Sequence, residues 1–359
     1  MEPMPFMRGP SRLLAILTSQ DALKIQEIQQ AATLATLTDL VHQQTQAVQC
    51  LLTHGVKVRH IRQIVRDLDC QVFQKVASLL STPDMLEHLC ILVMGSEGRG
   101  EQITKTDQDN ALLTDDTFPA TEITAFCQNF ANALIRIGYP PCPGQVMLSN
   151  PEWSGNLADF QKSIFTWIRD PTPDGFMRLA ICYDARPVAG NKILFQQAYD
   201  FFWQHLPDDP AFYAHFALPA LAFATPLGVF KRFIVEKGER QGHIDLKKGA
   251  SFPIVHGVRS LALEQRIRES STPRRILGLM HKGILDRSFG KDLIAAFDFV
   301  AGLQVRNRLK KVRGEEAGED FLLLNSLGYL EQEYLRNCFG LVDRFKKMIY
   351  HHFNLRILH

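Results

Sequence analysis

Apolar positions along this chain recur first with a helical period, then with a mixed one, then with a helical period again. Between residues 20 and 80, Ile25, Ile28 and Ala32, and then Leu34, Leu37 and Val41, fall three or four apart with glutamines between them. That spacing predicts amphipathic helices. Gly55 breaks the run, and Ile61, Val65, Leu68, Val72 and Val76 define a second helical face. Thr82-Pro83 opens a further helix, pairing a cap residue with a proline at the first turn. The apolar run Cys90–Met94 reads as a strand over 90–94, and a second strand is expected over 108–113. Thr121 is expected to cap a helix whose Ile123, Phe126, Phe130, Leu134 and Ile137 share one face, with Gly138 as its stop.

The stretch 139–155 is rich in Pro and Gly and reads as a loop, while Met177–Tyr183 reads as another strand. From 206 onward the pattern is helical and strand-poor. Thr272-Pro273 starts a helix carrying Ile276, Leu277, Leu279 and Met280, which Gly283 ends. Phe297, Val300, Leu303, Leu341, Phe345 and Ile349 then fit a helical bundle, with 314–320 as a flexible acidic loop. The expected fold class is α+β: a helical arm over 1–82, a mixed domain over 83–205, and a helical domain over 206–359.

Composition narrows this picture. The 359 residues are 46% hydrophobic and 22% charged, ordinary for a globular protein of two or three domains. A net charge of +2 without a long basic stripe gives no indication of a broad nucleic-acid surface. The seven cysteines form no Cys-x-x-Cys pair and are scattered through apolar segments. Reduced thiols in a cytoplasmic protein are expected, not a disulfide framework or zinc site. No apolar run approaches the roughly 18 residues of a membrane span, and the start of the chain lacks a convincing signal-peptide cleavage site.

The candidate chemistry sits between the first two expected strands. Gly95 and Ser96 follow the first, and after ten intervening residues come Asp107 and Asp109, separated by one residue. Residues i and i+2 of a strand share a face roughly 6–7 Å apart, so both carboxylates can converge on divalent metal. Mg²⁺ or Mn²⁺, bound through oxygens, is the ion such a pair suits. The Gly-Ser pair, at a strand-to-helix turn, lets backbone N–H groups face phosphate oxygens, and Arg99 adds a phosphate-binding fork. No Gly-x-x-x-x-Gly-Lys-Ser/Thr loop is present, which excludes a P-loop NTPase.

The string GSEGRGEQITKTDQDNALL, residues 95–113, resembles the signature of the DUF294-type nucleotidyltransferases. These are relatives of the protein-PII uridylyltransferases in the DNA polymerase β-like superfamily. The similarity extends through Pro141–Gly144, Met147, Ser149–Trp153, Trp167–Pro171 and Tyr183–Gly190. Lys247–Gly249 and Val258–Leu263 resemble the family's C-terminal substrate-binding domain, so the likeness spans roughly 55 to 350.

What the resemblance implies is a third carboxylate, Asp184, which would bind metal and assist the nucleophile; by residues alone Asp184 reads as a structural ion pair with Arg186 at a strand end. It also implies an NTP substrate, ATP or UTP, with Lys248 or Arg259 reaching phosphates or acceptor. The acceptor hydroxyl would belong to a regulatory protein or a small molecule. CBS or cyclic-nucleotide-binding domains often precede this region in the family. This chain has no room for them, so it is expected to be a stand-alone form or a piece of a longer protein.

Three further readings stay open. The fold could be catalytically silent, binding nucleotide to regulate a partner. Arg344 and His351 have the spacing of a helical-bundle ribonuclease pair, and His351, His352 and His359 could form a metal cluster at a terminus. Trp153 could pack or stack on a base, and Asp115 and Asp116 read as turn residues.

Overall fold

A computed structural model describes residues 25–117, 119–312 and 320–358. The acidic stretch over 314–319 and His359 lie outside the described residues. The chain forms two compact units, one of Met1–Thr166 with Ile181–His205 and one of Trp167–Ala180 with Leu206–His359.

The first unit begins with helices α1 (Ile25–Gln30), α2 (Leu34–Thr53) and α3 (Val58–Leu80). Thr33 caps α2 by accepting from the Thr36 amide, and Gly55 leaves it at a φ of 77°. The α3 face expected from spacing, Ile61, Val65, Leu68, Val72 and Val76, is buried throughout. It packs α3 against α2, against β4 and against a later helix, α6, so these helices belong to the body of the unit.

Thr82 caps α4 (Pro83–His88), accepting from Met85 N at 3.2 Å. Strand β1 (Leu89–Val93) follows, then one helical turn, α5 (Gly95–Gly98), and strand β2 (Asn110–Thr114). Helix α6 (Ala120–Ile137) ends at Gly138, whose φ of 105° only glycine takes without strain. Thr121 does not cap it: the helix starts two residues earlier than such a cap would set, with Pro119 at the cap position.

The loop over 139–155 holds a strand that its composition hides. β3 (Ser154–Asn156) pairs parallel with β2, Leu112 opposite Ser154. After α7 (Leu157–Arg169), the expected strand over Met177–Tyr183 is a helix, α8 (Pro173–Tyr183). Thr172 accepts from the Gly175 amide at 3.0 Å, Pro173 is pre-set for a first turn, and Met, Arg, Leu and Ala all favour helix. A short apolar run has no period of its own to decide between the two.

The strand comes next, as β4 (Arg186–Gly190), followed by α9 (Lys192–His205) against β1 and β4. The sheet order is β3-β2-β1-β4, with β1 antiparallel to both neighbours. Every residue of β1 and β2 is buried, which is why both read as continuous apolar runs. Asn110 and Arg186 both lie opposite Val93, so the segments leading into β2 and β4 emerge at the same end of the sheet.

The second unit is helical. After α10 (Pro210–Ala217), α11 (Phe252–Glu264) has every residue from Pro253 to Leu263 buried and packs against α10, α12 (Thr272–His281) and α14 (Tyr329–His352). Ser271, one residue before the expected Thr272, caps α12. Helix α13 (Arg287–Val312) packs on α14, and a short antiparallel ribbon joins β5 (His243–Asp245) to β6 (Phe321–Leu323). The unit's core includes Phe297, Val300, Leu303, Phe345 and Ile349, as the bundle pattern predicts. The whole is α+β.

Candidate active site

The sheet end where β2 and β4 begin is covered by the turn after β1. Met94 N donates to Asp109 O at 2.8 Å, and Gly95 then bends the chain into α5 at a φ of 54°. The two glycines of α5 are there for space. A Cβ on Gly95 would lie 2.1 Å from Asp109 Oδ2; one on Gly98 would lie 2.2 Å from the Asp184 carbonyl oxygen and 2.8 Å from that of Val93. Real Cβ contacts are never that close, so the turn is wedged between the segments carrying the two aspartates.

The turn is closed by its own amides: Gly98 donates to Met94 O at 2.8 Å and Glu101 to Ser96 O at 2.9 Å. The Gln102 side-chain amide donates to Ser96 Oγ at 3.3 Å. Gly95 and Ser96 therefore stand where a strand turns into a helix, as their sequence position suggests.

Asp107 and Asp109 lie just before β2, not on it. The segment is extended there because Gln108 bridges to Pro141 and its amide donates to Pro140 O at 2.9 Å. Gln108 is buried, which sends its two neighbours to the other side. One carboxylate oxygen from each aspartate and the Cys142 sulfur lie within 4.8 Å of one another. Burial pushes the Cys142 thiol up to about 11, with the Asp109 charge and a hydrogen bond to Asp109 adding to it. At neutral pH it is a protonated donor to the carboxylate. Cys142 was missed as a site residue, although it stands inside the Pro141–Gly144 motif.

The donor chemistry fits a hard divalent ion. Two half-exposed carboxylates offer oxygens suited to Mg²⁺ or Mn²⁺, whereas a protonated, soft sulfur is a poor ligand for either. Asp107 and Asp109 would hold the ion, and Cys142 would orient Asp109.

Asp184 lies outside this trio. Its side chain is fully buried, and Oδ2 accepts from Arg99 Nη1 at 2.6 Å; Arg99 Nε donates to Glu101 Oε2 at 2.6 Å. The two carboxylates hold the Arg99 pKa above its ordinary value against the cost of burial, so its charge is permanent. The expected convergence of three carboxylates is not formed here, because the guanidinium claims the third. Arg186 reaches Glu97 Oε1 at 3.3 Å.

Lys248 and Arg259 belong to the second unit. Lys248 is exposed, 3.7 Å from Asp245 Oδ2 and 5.6 Å above the Phe223 ring. Arg259 is buried, donating to His256 Nδ1 at 3.0 Å, a structural position in the middle of α11.

Two family models match the chain. Residues 42–174 match the model described as Putative nucleotidyltransferase DUF294, and 210–353 the Putative nucleotidyltransferase substrate binding domain, DUF294_C. The chain belongs to the DUF294 nucleotidyltransferases. No curated protein matches it. At family level the activity is transfer of a nucleotidyl group, with an NTP as substrate. Among the described residues no helix is long and apolar enough to cross a membrane.

This DUF294 chain has a second acidic pair behind the turn. Glu97 of α5 and Asp69 of α3 are both buried, and the Tyr139 hydroxyl donates to Asp69 Oδ1. Burial, reinforced by the Asp69 charge, holds the Glu97 carboxyl well above the usual range. Burial also raises Asp69, opposed by the Tyr139 hydrogen bond. Two carboxyls sharing one dry site cannot both ionise cheaply, so at least one keeps its proton.

Nearby, burial lowers Lys105 to about 8, and its Nζ donates to Ile137 O at 2.9 Å. No sequence spacing could reveal the pairing of Asp69 with Glu97, since it joins a helix to a turn through tertiary packing.

Proposed function

We propose that the first unit transfers a nucleoside monophosphate from an NTP, ATP or UTP, to an acceptor hydroxyl and releases pyrophosphate in a reaction that requires Mg²⁺ or Mn²⁺. The observation that carries this reading is the seating of Asp107 and Asp109 beside a turn whose Gly95 admits the Asp109 carboxylate where no side chain fits. A divalent ion held by the two aspartates would neutralise triphosphate charge and align the displacement.

Gly95 and Ser96 form the bare backbone against which the triphosphate lies, and Arg99 supplies its fixed positive charge. An incoming triphosphate competes with Asp184 and Glu101 for that guanidinium. As Arg99 turns to phosphate, Asp184 gives up that guanidinium and acts as the base for the acceptor proton. The acceptor oxygen then bonds to the α-phosphorus, the bond to the β-phosphate oxygen breaks, and pyrophosphate leaves with the electron pair. Lys248, on the second unit, is assigned to phosphate binding from the family resemblance. The acceptor is a regulatory protein or a small molecule, and the setting is cytoplasmic.

One observation favours a second reading. Asp184 is fully buried against Arg99, which suits a silent module that binds nucleotide to regulate a partner. The deciding assay is pyrophosphate release from each of the four NTPs with Mg²⁺ or Mn²⁺, using cell lysate as acceptor source, beside Asp107→Ala/Asp109→Ala. Release that disappears in the variant, with label on one lysate component, supports transfer. Nucleotide binding without release supports the regulatory module.

A further inference from the structure

In the second unit, helices α13 and α14 and the turn over 227–231 enclose a cleft of about 610 Å³, within the range of small-molecule sites. Lys231, Arg336, Arg344 and Lys347 line it, against two acids, Asp292 and Asp343. Arg344 and Lys347 follow Arg336 along α14 by about two and three turns, and all three line the same cleft. Arg336 is fixed in place: its Nε donates to Lys231 O at 3.0 Å, it pairs with Glu333, and its guanidinium stands 4.8 Å over the Phe233 ring. Arg344 is likewise set over a ring, that of Phe289, at 5.3 Å.

Two features of the backbone point to a ligand. Gly340 lies in the middle of α14 and lines the cleft, yet a Cβ built on it meets nothing within 4 Å. Glycine weakens a helix interior, and packing within the protein does not call for it here. Its use is to let something approach the helix backbone. At the other wall, Phe230 and Lys231 are consecutive non-glycine residues with φ of 60° and 57°, a costly left-handed pair. Phe230 gains no packing from that strain, being 90% exposed. The strained turn presents Lys231 to the cleft.

We propose that this cleft binds a small phosphorylated polyhydroxy compound. The four cations hold its phosphate, and Asp292 and Asp343 accept hydrogen bonds from its hydroxyls. Naming this compound as the acceptor rests on the transfer reading above; the binding itself does not. The cleft's volume is that of a small-ligand site, which favours a small compound over a macromolecular chain.

The test is isothermal titration of the full chain, without NTP or divalent metal, with ribose 5-phosphate, inorganic phosphate and ribose as probes. Ribose 5-phosphate is expected to bind saturably and more tightly than inorganic phosphate, and ribose not at all. Arg344→Ala/Lys347→Ala should weaken ribose 5-phosphate at least about tenfold, the loss expected for a charge-assisted contact.

Gly340→Ala separates the proposal from a structural role. It should raise the melting temperature, since alanine favours helix, while weakening ribose 5-phosphate by a similar factor. Absence of saturable binding, or binding unchanged in both variants, overturns the proposal, as does inorganic phosphate binding as tightly as the sugar phosphate. Because no NTP is present, failure of the transfer assay leaves this result standing, and failure here leaves the transfer reading standing.

Discussion

The first unit packs two pairs of acids around one turn, and their surroundings differ in nearly every respect. Asp107 and Asp109 are half-exposed, separated by a single residue, and share their space with a protonated thiol. Asp69 and Glu97 are buried, far apart in sequence, and enclosed by Tyr139 and Arg186. Like-charged carboxylates repel in both places. Where water and an incoming cation can reach them the repulsion is available for binding; where neither can, a retained proton removes it and the pair acts as a hydrogen-bonded strut. The same residue types thus serve ligand and scaffold according to burial alone.

The sharpest break of this contrast is at the open pair. Asp107→Asn or Asp109→Asn should lower metal-dependent pyrophosphate release by about three orders of magnitude, equivalent to several kcal/mol of lost charge stabilisation. The melting temperature should hold or rise, because a repulsion is removed. A melting temperature that fell with activity would assign the open pair to the scaffold instead.

At the buried pair the expectation reverses. Glu97→Ala removes the partner of Arg186 and Asp69 and should cost about 3 kcal/mol, read as a lower urea midpoint. Glu97→Gln retains a neutral hydrogen-bonding group and should cost far less. Equal losses in the two variants would mean that Glu97 is ionised in the folded protein.

A smaller effect follows from the proton itself. With Glu97 and Asp69 raised above their ordinary values, the folded state keeps protons that the unfolded chain releases. The pair's contribution to stability is therefore greatest below the ordinary carboxyl range and declines as pH rises through and beyond it. Glu97→Gln should flatten that decline in urea titrations run at several pH values. Lys105, lowered to about 8, acts with the opposite sign. Between about pH 8 and its ordinary value near 10.4 the unfolded chain binds the extra proton, so its contribution grows with pH.

The smallest change is expected at Cys142. Serine also donates to Asp109, so Cys142→Ser should alter pyrophosphate release by only about twofold, against a typical hydrogen-bond worth of 0.5–1.5 kcal/mol. With the thiol at about 11, alkylation of the wild-type residue should be slow at neutral pH and accelerate toward that value, as followed by mass spectrometry.

The parts of this arrangement that were legible in the sequence are those written in local spacing. Gly95, Ser96, Asp107 and Asp109 lie close enough in the chain for their juxtaposition to follow from strand, turn and strand. The α3 face and the Gly138 stop are likewise local periodicity and local φ. The illegible parts depend on distant chain.

β3 is three residues long and becomes a strand only by lying beside β2, and Met177–Tyr183 is helix because Thr172 and Pro173 begin one ahead of it. Asp184 was found through family likeness, but its capture by Arg99 is a tertiary choice among several nearby charges. Cys142 looked like one more buried thiol, since its closeness to Asp109 is set by the Gln108–Pro141 bridge.

The division of the chain has a consequence for how the protein is made. Residues 167–180 belong with the second unit, yet β4, a neighbour of the central strand, is synthesised only after them. During translation the first unit stays unfinished while a piece of its successor already hangs from the ribosome. Phe176 in that piece waits for Phe212 and Phe216, against which its ring packs at 5.2 and 6.1 Å. A stop at residue 205 would release a complete sheet with that aromatic ring uncovered, a sticky product for quality control. No single cut of the gene yields two clean halves.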